Sequence, residues 1–137
     1  MRYRYIDHTA DMGLEIYGRD LEELFRNASF ALFDNITELR KIEEKDKRRI
    51  RLSSESLKEL LLDWFRELLF LFGIEFFITK RVRFLNLKER ELEAEIWGER
   101  FDKKRHKIKM EIKNPTYHTF SLERYEKGYK ARVVFDV

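Results

Sequence analysis

Between Leu57 and Phe72 the chain carries Leu57, Leu60, Leu61, Trp64, Phe65, Leu68 and Phe72 at helical spacing, and Leu62, Leu69, Phe70 and Leu71 fill much of the remaining circumference. A helix this apolar around its C-terminal half has to be covered on several sides, which places it deep in a core. Asp63, Arg66 and Glu67 interrupt the run, so it does not read as a membrane anchor. Ser56 with Glu59 forms a capping-box start, and Gly73 stands where a left-handed cap is expected to end the helix.

Beyond Gly73 the apolar period changes to two. Leu92, Ala94 and Ile96 alternate with glutamates, and Ile108, Met110 and Ile112 alternate with Lys107, Lys109 and Glu111, the pattern of half-buried antiparallel strands. Glu126-Lys127-Gly128 reads as a hairpin loop joining a strand near 117 to 125 with a last strand from 129. Ahead of the apolar helix, two short strand-like segments lie within residues 1 to 18, the second alternating through Met12, Leu14 and Ile16. Asp20 and Glu23 then open a helix over about 20 to 37. The charged run 40 to 49 reads as a loop leading to a short strand that ends near Leu52. This order predicts an α+β fold, two helices packed on antiparallel sheet, in a single compact domain spanning residues 1 to 137.

With 137 residues, 43% hydrophobic and twelve Phe, the chain has enough apolar area for one core. It has no cysteine, which excludes disulfides, thiolate zinc sites and a cysteine nucleophile, so any metal must be held by oxygen or imidazole. The N-terminus, Met1-Arg2-Tyr3-Arg4-Tyr5, lacks the apolar segment of a signal peptide, and a cytoplasmic protein with no membrane association is expected. Charged residues reach 40%, with 29 basic against 26 acidic, a mixture suited to ion-pair networks. The densest basic run is Arg100, Lys103, Lys104, Arg105, Lys107 and Lys109; such runs are usually solvated, and otherwise meet nucleic acid or an acidic protein surface.

Chemistry-bearing residues gather at the two ends. Asp7-His8-Thr9-Ala10-Asp11 is rich in oxygen ligands, and Asp7 and Asp11 are close enough in sequence to serve one cation if the loop curls back. The alternative is a turn capped by Asp7 with His8 in an ordinary hydrogen-bonding role. Phe135-Asp136-Val137 places an Asp side chain beside the terminal carboxylate, a repulsive pair unless a cation or a basic side chain lies between them, or unless the end is simply solvated.

Asp7-His8-Thr9-Ala10-Asp11-Met12-Gly13, Gly18 with Leu21-Glu22-Glu23-Leu24-Phe25, Thr116-Tyr117-His118, and Gly128-Tyr129-Lys130-Ala131-Arg132-Val133-Val134-Phe135-Asp136-Val137 together resemble the signatures of the archease family. The resemblance runs from one end of the chain to the other. Two positions depart from it: Asn114-Pro115 stands where small or hydrophobic residues are typical, and Tyr129 stands where tryptophan is common. Neither is a ligand position. The resemblance implies a divalent cation, described in that family as calcium, held by Asp11, Asp136 and Val137; Asp7, His8 and His118 are candidate supporting residues to which the resemblance itself assigns no ligand role. Calcium suits such a set, because it accepts six to eight oxygen ligands in irregular geometry.

The resemblance further implies a non-catalytic accessory role. The partner would be the tRNA-splicing RNA ligase of the RtcB type, whose guanylylation and turnover archeases promote and whose choice of nucleotide triphosphate they can broaden, with tRNA touched at most indirectly. A chaperone-like modulator or RNA-binding adaptor of tRNA-processing enzymes is the alternative. An RNA-binding module would use residues 100 to 109 with Phe101, and a metal-dependent hydrolase would use His8 or His118 as acid or base. No nucleophile elbow, phosphate loop or two-metal carboxylate array supports the hydrolase.

Overall fold

The computed structural model describes residues 1 to 7 and 11 to 137, the side chain of His118 excepted. Both helices start where their capping residues stand. Asp20 accepts a hydrogen bond from the Glu23 N–H at 2.8 Å and opens α1, Leu21–Ile36; Ser56 accepts one from the Glu59 N–H at 3.1 Å and opens α2, Leu57–Glu75.

The strands among the described residues form two antiparallel sheets. β1 (Tyr3–Ile6), β2 (Met12–Gly18), β7 (Gly128–Asp136) and β6 (Asn114–Tyr125) make a four-stranded sheet in the order β1-β2-β7-β6. β3 (Asp46–Ser53), β5 (Glu91–Arg100) and β4 (Phe77–Leu87) make a three-stranded one in the order β3-β5-β4. Each helix touches strands of both sheets, which buries α2 on several sides from Leu60 to Leu69, but the expectation that its apolar C-terminal half lies deep in the core is not met, since Phe70 and Ile74 are exposed. Phe65 of α2 meets Phe135 of β7 edge-on, with ring centroids 5.1 Å apart, while Trp64 packs on Phe84 of β4 at 5.7 Å and on Phe25 of α1 at 6.3 Å. The buried Trp64 Nε1–H donates to the Phe25 carbonyl oxygen at 2.9 Å, tying the two helices together. The molecule is thus a single compact domain of α+β class, as the period change predicts.

Three local expectations are corrected. Gly73 does not cap α2; the helix continues to Glu75, and Phe76, at φ 58°, takes the left-handed position. The charged run 40 to 49 is only partly loop: Leu39–Lys41 form a short 3₁₀ turn and β3 begins at Asp46. Residues 107 to 112 do not form a strand. Their one ladder contact is a bridge between Ile108 and Thr37, fastened by the Thr37 hydroxyl donating to the Lys107 carbonyl at 2.6 Å and the Lys109 N–H to the Ile36 carbonyl at 2.7 Å. The alternation there reflects Ile112 reaching into the core and Met110 packing against it, without a partner strand.

Candidate metal centre

The central pair of the larger sheet determines where the two ends of the sequence lie. β2 and β7 run antiparallel in unbroken register from Gly18 opposite Tyr129 to Met12 opposite Phe135. Met12, Leu14, Ile16, Ala131, Val133 and Phe135 face the core, so the alternate positions face outward. One step beyond the Met12–Phe135 pair come Asp11 on one side and Asp136 on the other. The ladder itself stops at that pair, with Asp11 preceding β2, so the register joins the residues adjoining the two carboxylates, Met12 and Phe135, from opposite ends of the sequence. Asp136 lies on the face opposite the fully buried Phe135 and is exposed, and Val137 follows at 39% exposure. β6 holds the far side: Asn114 pairs with Asp136, and the Lys113 N–H donates to the Asp136 carbonyl oxygen at 2.8 Å.

Asp7 follows the end of β1 and is exposed. It lines a groove on the outer face together with Arg4, Thr119, Arg132 and Val134. Beside that groove β6 departs from register between Thr116 and Ser121. The Thr116 hydroxyl bonds the Val134 carbonyl at 2.9 Å and lies 2.8 Å from the Thr119 hydroxyl, which steadies the irregular stretch over β7. His118 belongs to this stretch, but its side chain lies outside the described residues, as does all of His8, so the expectations placed on both stand apart from the geometry. Among the described residues no three His, Asp or Glu side chains converge closely enough to hold a metal by themselves. The candidate donors Asp11, Asp136 and Val137 offer only hard oxygens, which suit a calcium-like cation better than a soft metal.

Two polar networks escaped the sequence reading. On the outer face Glu15, only 5% exposed, accepts from Arg4 and Arg132, each at 3.0 Å, and from the Tyr17 hydroxyl. Burial alone would raise its pKa, but these donors hold it below the ordinary carboxylate value. At the far end of the smaller sheet, Glu99 accepts from the Glu43 N–H at 2.7 Å and from Arg105, and lies 3.2 Å from His106 Nε2. Burial opposes its ionisation, yet the Arg105 and Glu43 bonds bring its pKa down to about 2. His106 Nδ1 accepts the Asp102 N–H at 2.9 Å, so its proton sits on Nε2 and points at Glu99. This network pins the basic loop. Arg105 is thereby engaged within the fold, and Phe101 packs partly buried against the core and 6.0 Å from the His106 ring, not outward as a base-stacking residue would.

Two helices that each touch both antiparallel sheets, with the strands β2 and β7 from opposite ends of the sequence adjacent in the larger one, define a small α+β class of protein. Residues 3–137 match the Archease protein family (MTH1598/TM1083), and the chain belongs to that family. It is 38% identical to the protein archease of Methanosarcina barkeri over 99% of this chain and 96% of that one. It is 37% identical to the protein archease of Archaeoglobus fulgidus over the whole of both. The solution structure of Methanobacterium thermoautotrophicum protein 1598 superposes with a TM-score of 0.84 at 34% identity, covering 99% of each chain. The crystal structure of a Thermotoga maritima archease, described as a possible chaperone, superposes with a TM-score of 0.66 at 25% identity, covering 96% of this chain and 94% of that one.

Proposed function

We propose that this chain is a non-catalytic accessory protein that binds a divalent cation, calcium foremost, and activates a tRNA-splicing RNA ligase of the RtcB type. Asp11 and Asp136 supply carboxylate oxygens and Val137 a further one, with Asp7, His8 and His118 in support. The ion offsets the repulsion between acidic groups at this end of the sheet and presents an exposed charge to the partner. In this role the protein promotes guanylylation and turnover of the ligase and widens its use of nucleotide triphosphates, touching tRNA only indirectly. The observation that supports the reading is the β2–β7 register, which pairs Met12, next to Asp11, with Phe135, next to Asp136, in a member of this family.

The chain's own contribution is positional. Phe135 and Met12, buried on the core side, lock the strand ends so that the acidic positions are held at the rim. The test is single-turnover guanylylation of a cognate ligase with calcium or chelator, with and without this protein. Asp11→Ala and Asp136→Ala are expected to abolish stimulation while circular dichroism stays unchanged; full stimulation by either variant refutes the assignment. A chaperone-like role is the second reading, favoured by the exposed Phe70, Ile74 and Phe76 around the end of α2. It predicts that the protein slows thermal aggregation of the ligase, and that Phe70→Ser/Ile74→Ser removes this effect without lowering single-turnover guanylylation.

A further inference from the structure

At the opposite end of the β2–β7 ladder, six residues or about 20 Å from Met12 at the usual rise of a strand, lies a cavity of about 630 Å³. Its walls are the β2–α1 corner, the first turns of α1 and the β6–β7 turn. The turn presses close to the corner: Gly128 has φ 132°, and a Cβ there would overlap the Gly18 carbonyl oxygen, so only glycine lets the two segments meet. The floor is fixed from within. Asn27, 6% exposed, donates its Nδ2–H to the Tyr17 carbonyl oxygen at 2.7 Å, and the Tyr17 N–H donates to the Arg2 carbonyl oxygen at 3.0 Å.

The charges around this cavity are unbalanced. Arg2, Arg19, Arg26 and Lys127 line it, against the single carboxylate of Glu23, which Arg19 holds at 2.8 Å. Arg26 reaches Glu22 at 3.6 Å; among the described residues Arg2 and Lys127 make no ion pair. Arg2 instead lies over the Phe30 ring at 4.1 Å, a stacking that orders the guanidinium while leaving its N–H edge available for an acceptor. Cations gathered around a concavity repel one another, and an anion that accepts from several of them at once removes that cost. Guanidinium groups favour phosphate oxygens for this, because their forked donors match two oxygens together. Tyr125, 38% exposed, lines the same cavity and offers a ring on which a base can rest.

We propose that this cavity binds a phosphate ester, carried by a nucleotide or by the end of a single-stranded nucleic acid. The site is separate from the carboxylates at the other end of the ladder and does not depend on a metal there.

The test uses the whole chain, isotope-labelled, in EDTA, so that no phosphate is recruited through a bound cation. Amide spectra are followed while inorganic pyrophosphate, ATP, and a single-stranded RNA of about ten nucleotides with a 5′-phosphate or a 5′-hydroxyl are added in turn. Saturable shifts are expected at the amides of Arg19 to Asn27 and of Tyr125 to Gly128. Lys127→Glu, in an exposed turn where the fold is tolerant, and Arg26→Gln are each expected to weaken binding about tenfold, the loss of one charge-assisted contact. Arg83→Glu, on the other sheet, should leave binding unchanged. Tighter binding of ATP than of RNA assigns the site to a nucleotide; tighter binding of the 5′-phosphorylated strand than of its 5′-hydroxyl counterpart assigns it to a strand end. Absence of saturable shifts at these amides, or an equal loss with Arg83→Glu, overturns the proposal while leaving the metal reading untouched.

Discussion

Glu99 shows how one carboxylate organises an irregular loop. By strand parity it belongs with Glu91, Glu93 and Glu95 on the solvent side of β5, yet it is 2% exposed because residues 43 to 45 and 102 to 106 close over it. Its pKa is depressed from 4.5 to about 2 in the folded protein. A depressed carboxylate contributes stability above its unfolded pKa and loses it as the pH falls towards the folded value, so the contribution fades between about pH 5 and pH 2. Glu99→Gln is expected to lower unfolding stability by about 2 kcal/mol at pH 7, since Arg105 and the Glu43 N–H lose a charged acceptor. The gap between wild type and variant, measured by urea titration, should narrow at pH 3; a gap of constant size would mean that ionised Glu99 is not what holds the loop. Nothing in the sequence singled Glu99 out from its neighbours. Its partners come from residue 43, far upstream, and from a loop with no periodic pattern, so only the assembled fold reveals it.

At the scale of elements, local signals located starts better than stops. Asp20 and Ser56 open the helices where capping chemistry requires, because the cap is a contact within one turn. The end of α2 is decided from outside: Phe77 must enter the core, fully buried, at the first residue of β4, so the helix runs past Gly73 and reverses at Phe76. Tertiary burial outweighs the steric cost of a left-handed aromatic, about 1 to 2 kcal/mol. Gly73 is consequently an ordinary helix-interior glycine with no atom near the position of a Cβ. Gly73→Ala should therefore stabilise the protein by about 0.5 to 1 kcal/mol, raising Tm by roughly 2 to 5 °C for a chain of this size. A lower Tm in calorimetry would show that the glycine does something at this position other than cost chain entropy. The failed strand at 107 to 112 makes the complementary point. Period two reports which side chains face the core, whereas a strand also requires a partner, and here only Thr37 provides one.

At the scale of the molecule, one ladder joins the beginning of the chain to its end, with opposite charge at its two extremities. The sequence contained both halves of the acidic end, and the family resemblance joined them; composition and spacing alone did not show that the strands adjoining Asp11 and Asp136 would pair, because pairing between distant strands leaves no local trace. A cation bound between them would link the start of β2 to the end of β7, the two central strands, and stabilise only the folded form. Binding of that kind raises stability by about 2.7 kcal/mol when the free ion is a hundred times its Kd, or roughly 8 to 14 °C in Tm for a domain of this length. Calcium added to the chelated protein is therefore expected to raise Tm, and magnesium to raise it less, since its stricter octahedron tolerates an irregular set of oxygens poorly. Asp136→Asn removes one charge from an exposed position and should melt close to wild type in EDTA, yet gain little from calcium. The informative quantity is the difference between the two calcium responses, measured by scanning calorimetry at fixed ionic strength. Equal rises in wild type and Asp136→Asn would place the ion elsewhere on a chain with 26 acidic residues, and no rise in either would leave the acidic edge without a metal.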